Sequence, residues 1–259
     1  MDMDGLIVNV ALTGCVHDEG PLTPGAVALD AKRCWDAGAS MFHLHARDWS
    51  GKPTWGENRY REYVEACRDL VPDAVLVVSC SGRQGWGLEE RAGAIRSGAD
   101  MASLTTGSFN FRDAASVNPP DVIKGLAERM KKWGVKPEIE CFDLGHVFNA
   151  LKLIEEGLVD PAWFNLFLGN ELPAEREYLH LMASRVPSPW AGAGIGKAQW
   201  DANRWAIEAG GHVRVGLEDS LWMSKGDRAT NPRMVERAVA YGLCLGREPV
   251  NAREVLCIL

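Results

Sequence analysis

Short apolar runs recur along the chain. They alternate with longer stretches in which apolar residues return every three or four positions. The short runs lie at 6–12, 40–45, 74–79, 101–104, 137–141, 163–168, 189–193 and 212–217. Each is nearly continuous rather than alternating, as in strands buried on both faces of a parallel sheet. The helix-period stretches lie between and after them, at 25–37, 57–70, 88–96, 121–133, 146–156, 174–185, 199–209 and 232–245. Thr23-Pro24 supplies an N-cap followed by a proline at the first helical position. Gly38, Gly98, Gly134, Gly157, Gly210 and Gly246 stand where helices stop. Eight β/α units in one chain predict an α/β fold, a (β/α)8 TIM barrel forming one domain over 1–259. The rival is a doubly wound open sheet, which usually has fewer strands at this length.

Composition narrows the function classes. The 259 residues are 46% hydrophobic and 24% charged, ordinary for a soluble globular protein. A net charge of −7, without runs of like charge, argues against a nucleic-acid partner. No apolar run approaches the roughly 18 residues of a membrane span, and the acidic start Met1-Asp2-Met3-Asp4 does not resemble a signal peptide. Seven dispersed cysteines without a C-x-x-C pair read as reduced thiols of a cytoplasmic protein.

The chemistry concentrates at the ends of the expected strands, where such barrels keep their active sites. His43-Leu44-His45 closes the second run. Strand alternation puts both imidazoles on one face, so they converge as metal ligands would. Two core histidines with ordinary hydrogen bonds are the bland alternative. Glu218-Asp219 closes the eighth run. Strands 2 and 8 flank strand 1 in a barrel, so Glu218 can join His43 and His45 at one zinc-class ion and leave open positions for substrate. Asp219, beside a ligand but not one itself, is a candidate base for a carbon acid. Arg214 precedes Glu218 by four residues on the same face. It either orients Asp219 or forms a structural ion pair inside the barrel.

Other strand ends offer weaker signals. Ser79, Ser81, Ser103 and Thr105 are hydroxyls suited to a substrate carboxylate, or to capping turns. Glu140 ends the fifth run. Gly192-Ala193-Gly194-Ile195-Gly196, after strand 7, resembles a phosphate-cradling loop without the dinucleotide spacing, so Gly194 and Gly196 are candidates for holding a cofactor phosphate. His17 and His146 lie near the mouth, whereas His180 falls mid-helix and His212 starts a strand at the opposite face. Cys80 lies close to a strand end. Trp49, Trp55 and Trp86 fall in mouth-side loops, as pocket walls or oligomer contacts.

Taken together, these residues resemble the β-keto acid cleavage enzymes. The likeness spans essentially the whole chain. It rests on Ala37-Gly38-Ala39 leading into His43-Leu44-His45, and on Met101-Ala102-Ser103-Leu104 with Gly107-Ser108-Phe109-Asn110-Phe111. It also rests on Pro137-Glu138-Ile139-Glu140, Ala193-Gly194-Ile195-Gly196 and, most specifically, the segment from Gly210 through His212-Val213-Arg214-Val215-Gly216-Leu217 to Glu218-Asp219.

The resemblance implies a (β/α)8 barrel assembled as a homotetramer, with zinc on His43, His45 and Glu218 and a proton-handling pair in Arg214 and Asp219. It implies a reaction of a β-keto acid with acetyl-CoA that yields acetoacetate and a new acyl-CoA by Claisen and retro-Claisen steps. Ser79 and Ser103 match the family's carboxylate-binding hydroxyls, and Ser81 is an alternative to Ser79 in the divergent run Ser79-Cys80-Ser81-Gly82-Arg83. Val16 stands where a glutamate binds the amino group in members that take an aminated substrate. An uncharged tail is therefore expected here, with His17 or Arg83 as modifiers.

Two other readings compete. A zinc hydrolase of the amidohydrolase type carries H-x-H on strand 1 and further histidines on strands 5 and 6, positions that this chain does not match. A catalytically silent binding barrel would not need His43, His45, Arg214, Glu218 and Asp219 together.

Overall fold

The computed structural model describes residues 5–14, 18–111, 114–159, 163–187 and 189–250. Eight strands close into an all-parallel barrel: β1 (Val8–Ala11), β2 (Met41–Leu44), β3 (Val75–Val78), β4 (Met101–Thr105), β5 (Lys136–Cys141), β6 (Trp163–Leu168), β7 (Trp190–Gly194) and β8 (His212–Val215). Strands follow chain order round the barrel, and β1 pairs with both β2 and β8. Helices α1 (Pro24–Asp36), α2 (Glu57–Leu70), α3 (Leu88–Ala92), α4 (Pro120–Trp133), α5 (Leu144–Glu155), α6 (Arg176–Ala183), α7 (Ala198–Glu208) and α8 (Asn231–Cys244) form the outer ring. No helix among the described residues is long and apolar enough to cross a membrane.

Strand parity divides the side chains. Val8, Val10, Phe42, Leu44, Leu76, Val78 and Leu104 face the helices and form the large core with α1, α2, α4 and α8. The opposite parity fills the barrel. Ile7, Met41, Val75, Met101, Trp163 and Ala191 make an apolar floor at the N-terminal end of the strands. Above the floor the inward positions turn polar: Asn9, His43, Ser103, Glu138, Asn165 and Arg214 are all buried. Sequence reading of the strands as simply apolar misses this layer. Its members are single polar residues at every second position, diluted by outward-facing neighbours.

Several strands are shorter than the apolar runs predict. The eighth is the informative case. It ends at Val215, because Gly216 takes φ +139°, and a Cβ there would collide with the Ala11 carbonyl of β1. Only glycine allows this turn. It lifts Glu218 and Asp219 out of strand alternation, and both carboxylates end up at the barrel mouth. The run at 88–96 divides into α3 and a 3-10 turn, Ala94–Ser97, at Gly93, where a Cβ would strike the Trp55 carbonyl. Among the described residues, two small antiparallel ribbons add to what the apolar pattern predicts. Phe109–Asn110 pairs with Ala115–Ser116, and Trp222–Ser224 with Asp227–Arg228. The first forms part of the wall above the barrel.

Candidate active site

β2 and β8 deliver the central cluster as their pairing through β1 requires. His45 Nε2 lies 3.0 Å from Glu218 Oε1, and His43 Nε2 lies 3.8 Å from Glu218 Oε2. On its other side His43 Nδ1 lies 2.7 Å from Glu138 Oε2, while Asn9 Nδ2 donates to Glu138 Oε1 at 2.6 Å. Burial works to raise the Glu138 carboxyl, but His43 and Arg214 hold it below its ordinary value. An ionised Glu138 can only accept, so Nδ1 is the donor of this pair, and Nε2 is the ring atom that faces Glu218. This is the arrangement in which an outer carboxylate fixes the tautomer of a ligating imidazole.

His43 Nε2 and Glu218 Oε2 are both buried and have no hydrogen-bond partner. Buried polar atoms rarely stay unpaired, so a facing pair of them calls for a missing third party. Their 3.8 Å separation is close to the roughly 3.4 Å edge expected between two ligands at about 2.1 Å from one tetrahedral ion. Ligand atoms of His43, His45 and Glu218 lie within 4.8 Å of one another. A second grouping of His43, Glu138 and Glu140 meets the same limit. It is the weaker candidate, because Glu138 already binds His43 and Asn9, and Glu140 binds elsewhere.

Arg214 is the hub of the remaining charges. It is 1% exposed. Its Nε donates to Asp219 Oδ2 at 2.9 Å and its Nη2 to Asp219 Oδ1 at 3.3 Å, while Nη1 reaches Glu140 Oε1 at 3.2 Å. Thr105 Oγ1 holds the other Glu140 oxygen at 2.7 Å. Burial alone would lower the Arg214 pKa, but Asp219, Glu218, Glu140 and Glu138 drive it above its ordinary value. Burial likewise opposes charge on Glu218, yet His45, Arg214 and His43 hold that carboxyl well below its usual range. Asp219 goes the other way: burial raises it, Arg214 pulls against this, and the neighbouring Glu218 charge adds to the rise. Four carboxylates, three of them buried and Glu218 half-buried, thus surround one guanidinium, an excess of negative charge that suits a divalent cation.

A cavity of about 660 Å³ opens above this cluster. His45, Glu218, Asp219, Arg214, Glu140, Thr105, Ser79 and Ser81 all line it. Four aromatic rings, Phe109, Phe111, Phe142 and Phe167, line it too, together with Arg83.

Other expected site residues fall elsewhere. Ser103 is buried, does not line the cavity, and accepts a hydrogen bond from Cys80 N at 3.0 Å, so it shapes the loop that carries Ser79 and Ser81. Gly194 and Gly196 do not form a cradle of open N–H groups. The N–H of Ile195 goes to Leu168 O at 2.9 Å and that of Gly196 to Asp219 O at 2.7 Å. A Cβ on Gly194 would strike the Ala198 backbone, so this glycine serves the close approach of α7. Gly196, at φ +61°, ties the loop to the Asp219 backbone.

His146 sits beneath Gly107 and accepts from Phe142 N at 3.3 Å, outside the cavity lining. Burial pushes the Cys80 thiol up to about 12, which removes it as a nucleophile. Trp55 is buried against Trp86, and Trp49 is 83% exposed under the Arg59 guanidinium; none of the three lines the cavity. Val16 and His17 lie outside the described residues. The inward positions of β5 and β6 carry Glu138, Glu140, Asn165 and Phe167, where an amidohydrolase would need histidines.

Comparison with known proteins agrees with this geometry. The family model for beta-keto acid cleavage enzymes matches residues 5–259. The chain is 35% identical over 267 residues to 3-oxoadipate:acetyl-CoA acetyltransferase of Cupriavidus necator, covering 98% of this chain and 94% of the relative. It is 36% identical over 269 residues to 3-keto-5-aminohexanoate cleavage enzyme of Fusobacterium nucleatum, covering 99% of each. Among solved structures, the apo structure of ObcA superposes with a TM-score of 0.79 at 21% identity, over 91% of this chain and 64% of that one, which supports the barrel fold. On the match of the family model and of these full-length relatives, the chain belongs to the β-keto acid cleavage enzyme family.

Proposed function

We propose that this protein is an acetyl-CoA-dependent acyltransferase that cleaves a β-keto acid with the help of one zinc-class ion on His43, His45 and Glu218. The observation that carries the metal is the facing pair of unpartnered buried atoms, His43 Nε2 and Glu218 Oε2, beside the His45 imidazole. Two imidazoles and a carboxylate are a donor set of catalytic zinc sites. When bound, such an ion supplies Lewis acidity that makes the methylene between a keto group and a carboxylate easier to deprotonate.

The chain's own residues do the rest. Asp219 is the base: its carboxylate takes a proton from the methylene carbon, and its burial strengthens it for that role. Arg214 grips both Asp219 oxygens and fixes their aim. The resulting carbanion attacks the acetyl thioester carbonyl, a carbon–carbon bond forms, and the CoA thiolate leaves. The thiolate then adds to the substrate's original keto carbon. The older carbon–carbon bond breaks, and Asp219 returns its proton to the departing carbon. The products are acetoacetate and the new acyl-CoA. Ser79, Ser81 and Thr105 at the cavity wall are the hydroxyls for the substrate carboxylate.

The relatives named above do not decide the tail, because a 3-oxoadipate tail ends in a carboxylate and a 5-amino tail carries an ammonium. With Val16 in the family's amine-binding position, the aminated substrate is disfavoured here. Burying an ammonium unpaired is costly. We place the protein in the cytoplasm as a homotetramer, following the family. Mixing it with acetyl-CoA and a panel of β-keto acids should produce acetoacetate and a matched acyl-CoA. Absence of acetoacetate across the panel, with metal bound, would overturn the reading.

A further inference from the structure

We infer that Arg83 selects β-keto acids whose tail ends in a carboxylate, in place of the uncharged tail that Val16 alone suggests, an inference that rests on the acyl-transfer reading above. The charged residues lining the cavity are Glu140, Arg214, Glu218, Asp219 and Arg83. The first four are bound to one another or to His45. Among the described residues, the Arg83 guanidinium makes no hydrogen bond or ion pair. It lies over the Phe111 ring, with Cζ 3.3 Å from the ring centroid. Its backbone is fixed, with the N–H donating to Ser81 Oγ at 3.3 Å. A guanidinium held on a ring face keeps its planar fork of N–H donors for a carboxylate.

The aromatic rings connect this guanidinium to the reaction centre. Arg214 lies 5.0 Å from the Phe167 centroid, Phe167 stacks on Phe142 at 4.3 Å, and Phe142 stacks on Phe109 at 3.8 Å. Phe111 meets Phe109 edge-on at 4.6 Å and carries Arg83. A row of rings therefore has a spent guanidinium at its inner end and an open one at its outer end. Asp219 and Arg83 line one cavity, so a keto acid with its head at Asp219 can turn its tail toward Arg83. An ammonium there meets a like charge, and a methyl group leaves the guanidinium unanswered. A carboxylate gains a charge-assisted, two-point contact.

The test uses three keto acids of equal length, differing only in the tail: 3-oxoadipate, 3-oxohexanoate and 3-keto-5-aminohexanoate. Wild-type kcat/KM is expected to favour 3-oxoadipate over 3-oxohexanoate by about tenfold or more, the scale of a lost charged hydrogen bond. Arg83→Gln should collapse that ratio, Arg83→Lys should restore part of it, and Arg83→Glu should turn the preference toward the amine. A wild-type preference for the uncharged tail overturns the proposal. So does a ratio that Arg83→Gln leaves unmoved. The CoA phosphates are the competing anion. If Arg83→Gln instead raises KM for acetyl-CoA, with no such rise for acetyl-pantetheine, Arg83 serves the co-substrate and the proposal fails. Acetoacetate formed from any of the three acids keeps the acyl-transfer reading intact whatever the ratio.

Discussion

Two imidazoles inside the same barrel have opposite fates. His212 lies at the floor and His43 at the mouth, 4% and 1% exposed. His212 is complete: its Nδ1 accepts from Ile7 N at 3.1 Å, and its ring stacks on Trp163 at 5.3 Å. Burial, with the Arg247 charge adding, lowers its pKa to about 3, so it is a neutral core group. His43 is incomplete. Glu138 fixes one nitrogen, and the other faces an equally unpartnered carboxylate oxygen. Burial therefore does not separate a structural histidine from a functional one. The unspent atom does.

The comparison breaks most visibly on the metal. His43→Ala should lose the bound ion and essentially all activity, whereas His212→Asn should keep both at neutral pH. Metal content after gel filtration is the measurement. Full occupancy in His43→Ala would refute the ligand assignment, and joint loss in both variants would erase the distinction between floor and mouth.

Asp219→Asn sharpens the division of labour within the mouth. Glu218 is the proposed metal ligand while Asp219 is held by Arg214, so this variant should retain its ion. Removing a general base lowers kcat by about 10² to 10⁴. Exchange of the substrate's methylene protons in deuterated water should stop in parallel. Undiminished exchange would move the base to another residue. Glu138→Gln should have a smaller effect. Losing the charge behind a ligating imidazole weakens metal binding by about 10- to 100-fold. A chelator titration reads this directly, and unchanged affinity would make Glu138 a purely structural partner of Asn9 and His43.

Much of this site was legible in the sequence. Strand parity and barrel adjacency bring H-x-H beside the end of β8, and the turn at Gly216 then carries Glu218 and Asp219 to the mouth. Arg214 shares the face of Glu218 as expected, and it grips Asp219 bidentately while also pairing with Glu140, an arrangement that fits both of its readings. What stayed hidden depends on contacts between distant strands. Glu138 stood in plain view beside Glu140, but its pairing with His43 spans 95 residues and follows only from β2 and β5 facing each other across the barrel. The period-two series Asn9, Glu138 and Asn165 was the available signal, and only knowing the inward parity reveals it. Ser103 looked like a substrate ligand because parity aims it inward, but its hydroxyl meets the Cys80 backbone first. The glycine-rich loop at 192–196 resembled a phosphate cradle, but the N–H groups of Ile195 and Gly196 are consumed inside the chain.

Specificity offers a smaller test. Val16→Glu should narrow or reverse the wild-type preference against the 5-amino acid, by roughly tenfold in kcat/KM. Matched keto acids with and without the amine provide the comparison. A wild-type preference for the amine would assign its counter-charge to another residue near the mouth.

The smallest effect on activity belongs to the floor, and it appears only in acid. The unfolded chain protonates His212 near pH 6.5, whereas the folded barrel resists until about pH 3. Between those values the unfolded state binds the extra proton, so stability falls as pH falls. Above pH 6.5 the contribution is fully present. Moving from pH 7 to pH 4.5 should therefore cost the wild type about 2 to 3 kcal/mol through this residue alone. His212→Asn keeps an acceptor for Ile7 N but cannot take up a proton. It also loses the stack on Trp163 and should be less stable than wild type at pH 7. Its stability should nonetheless fall less steeply with acid, so the two denaturant-derived curves converge toward pH 4.5. Carboxylates elsewhere titrate alike in both proteins and cancel in the difference. Parallel curves would mean that the floor accommodates a charged imidazole and that His212 is not the closed group its contacts describe.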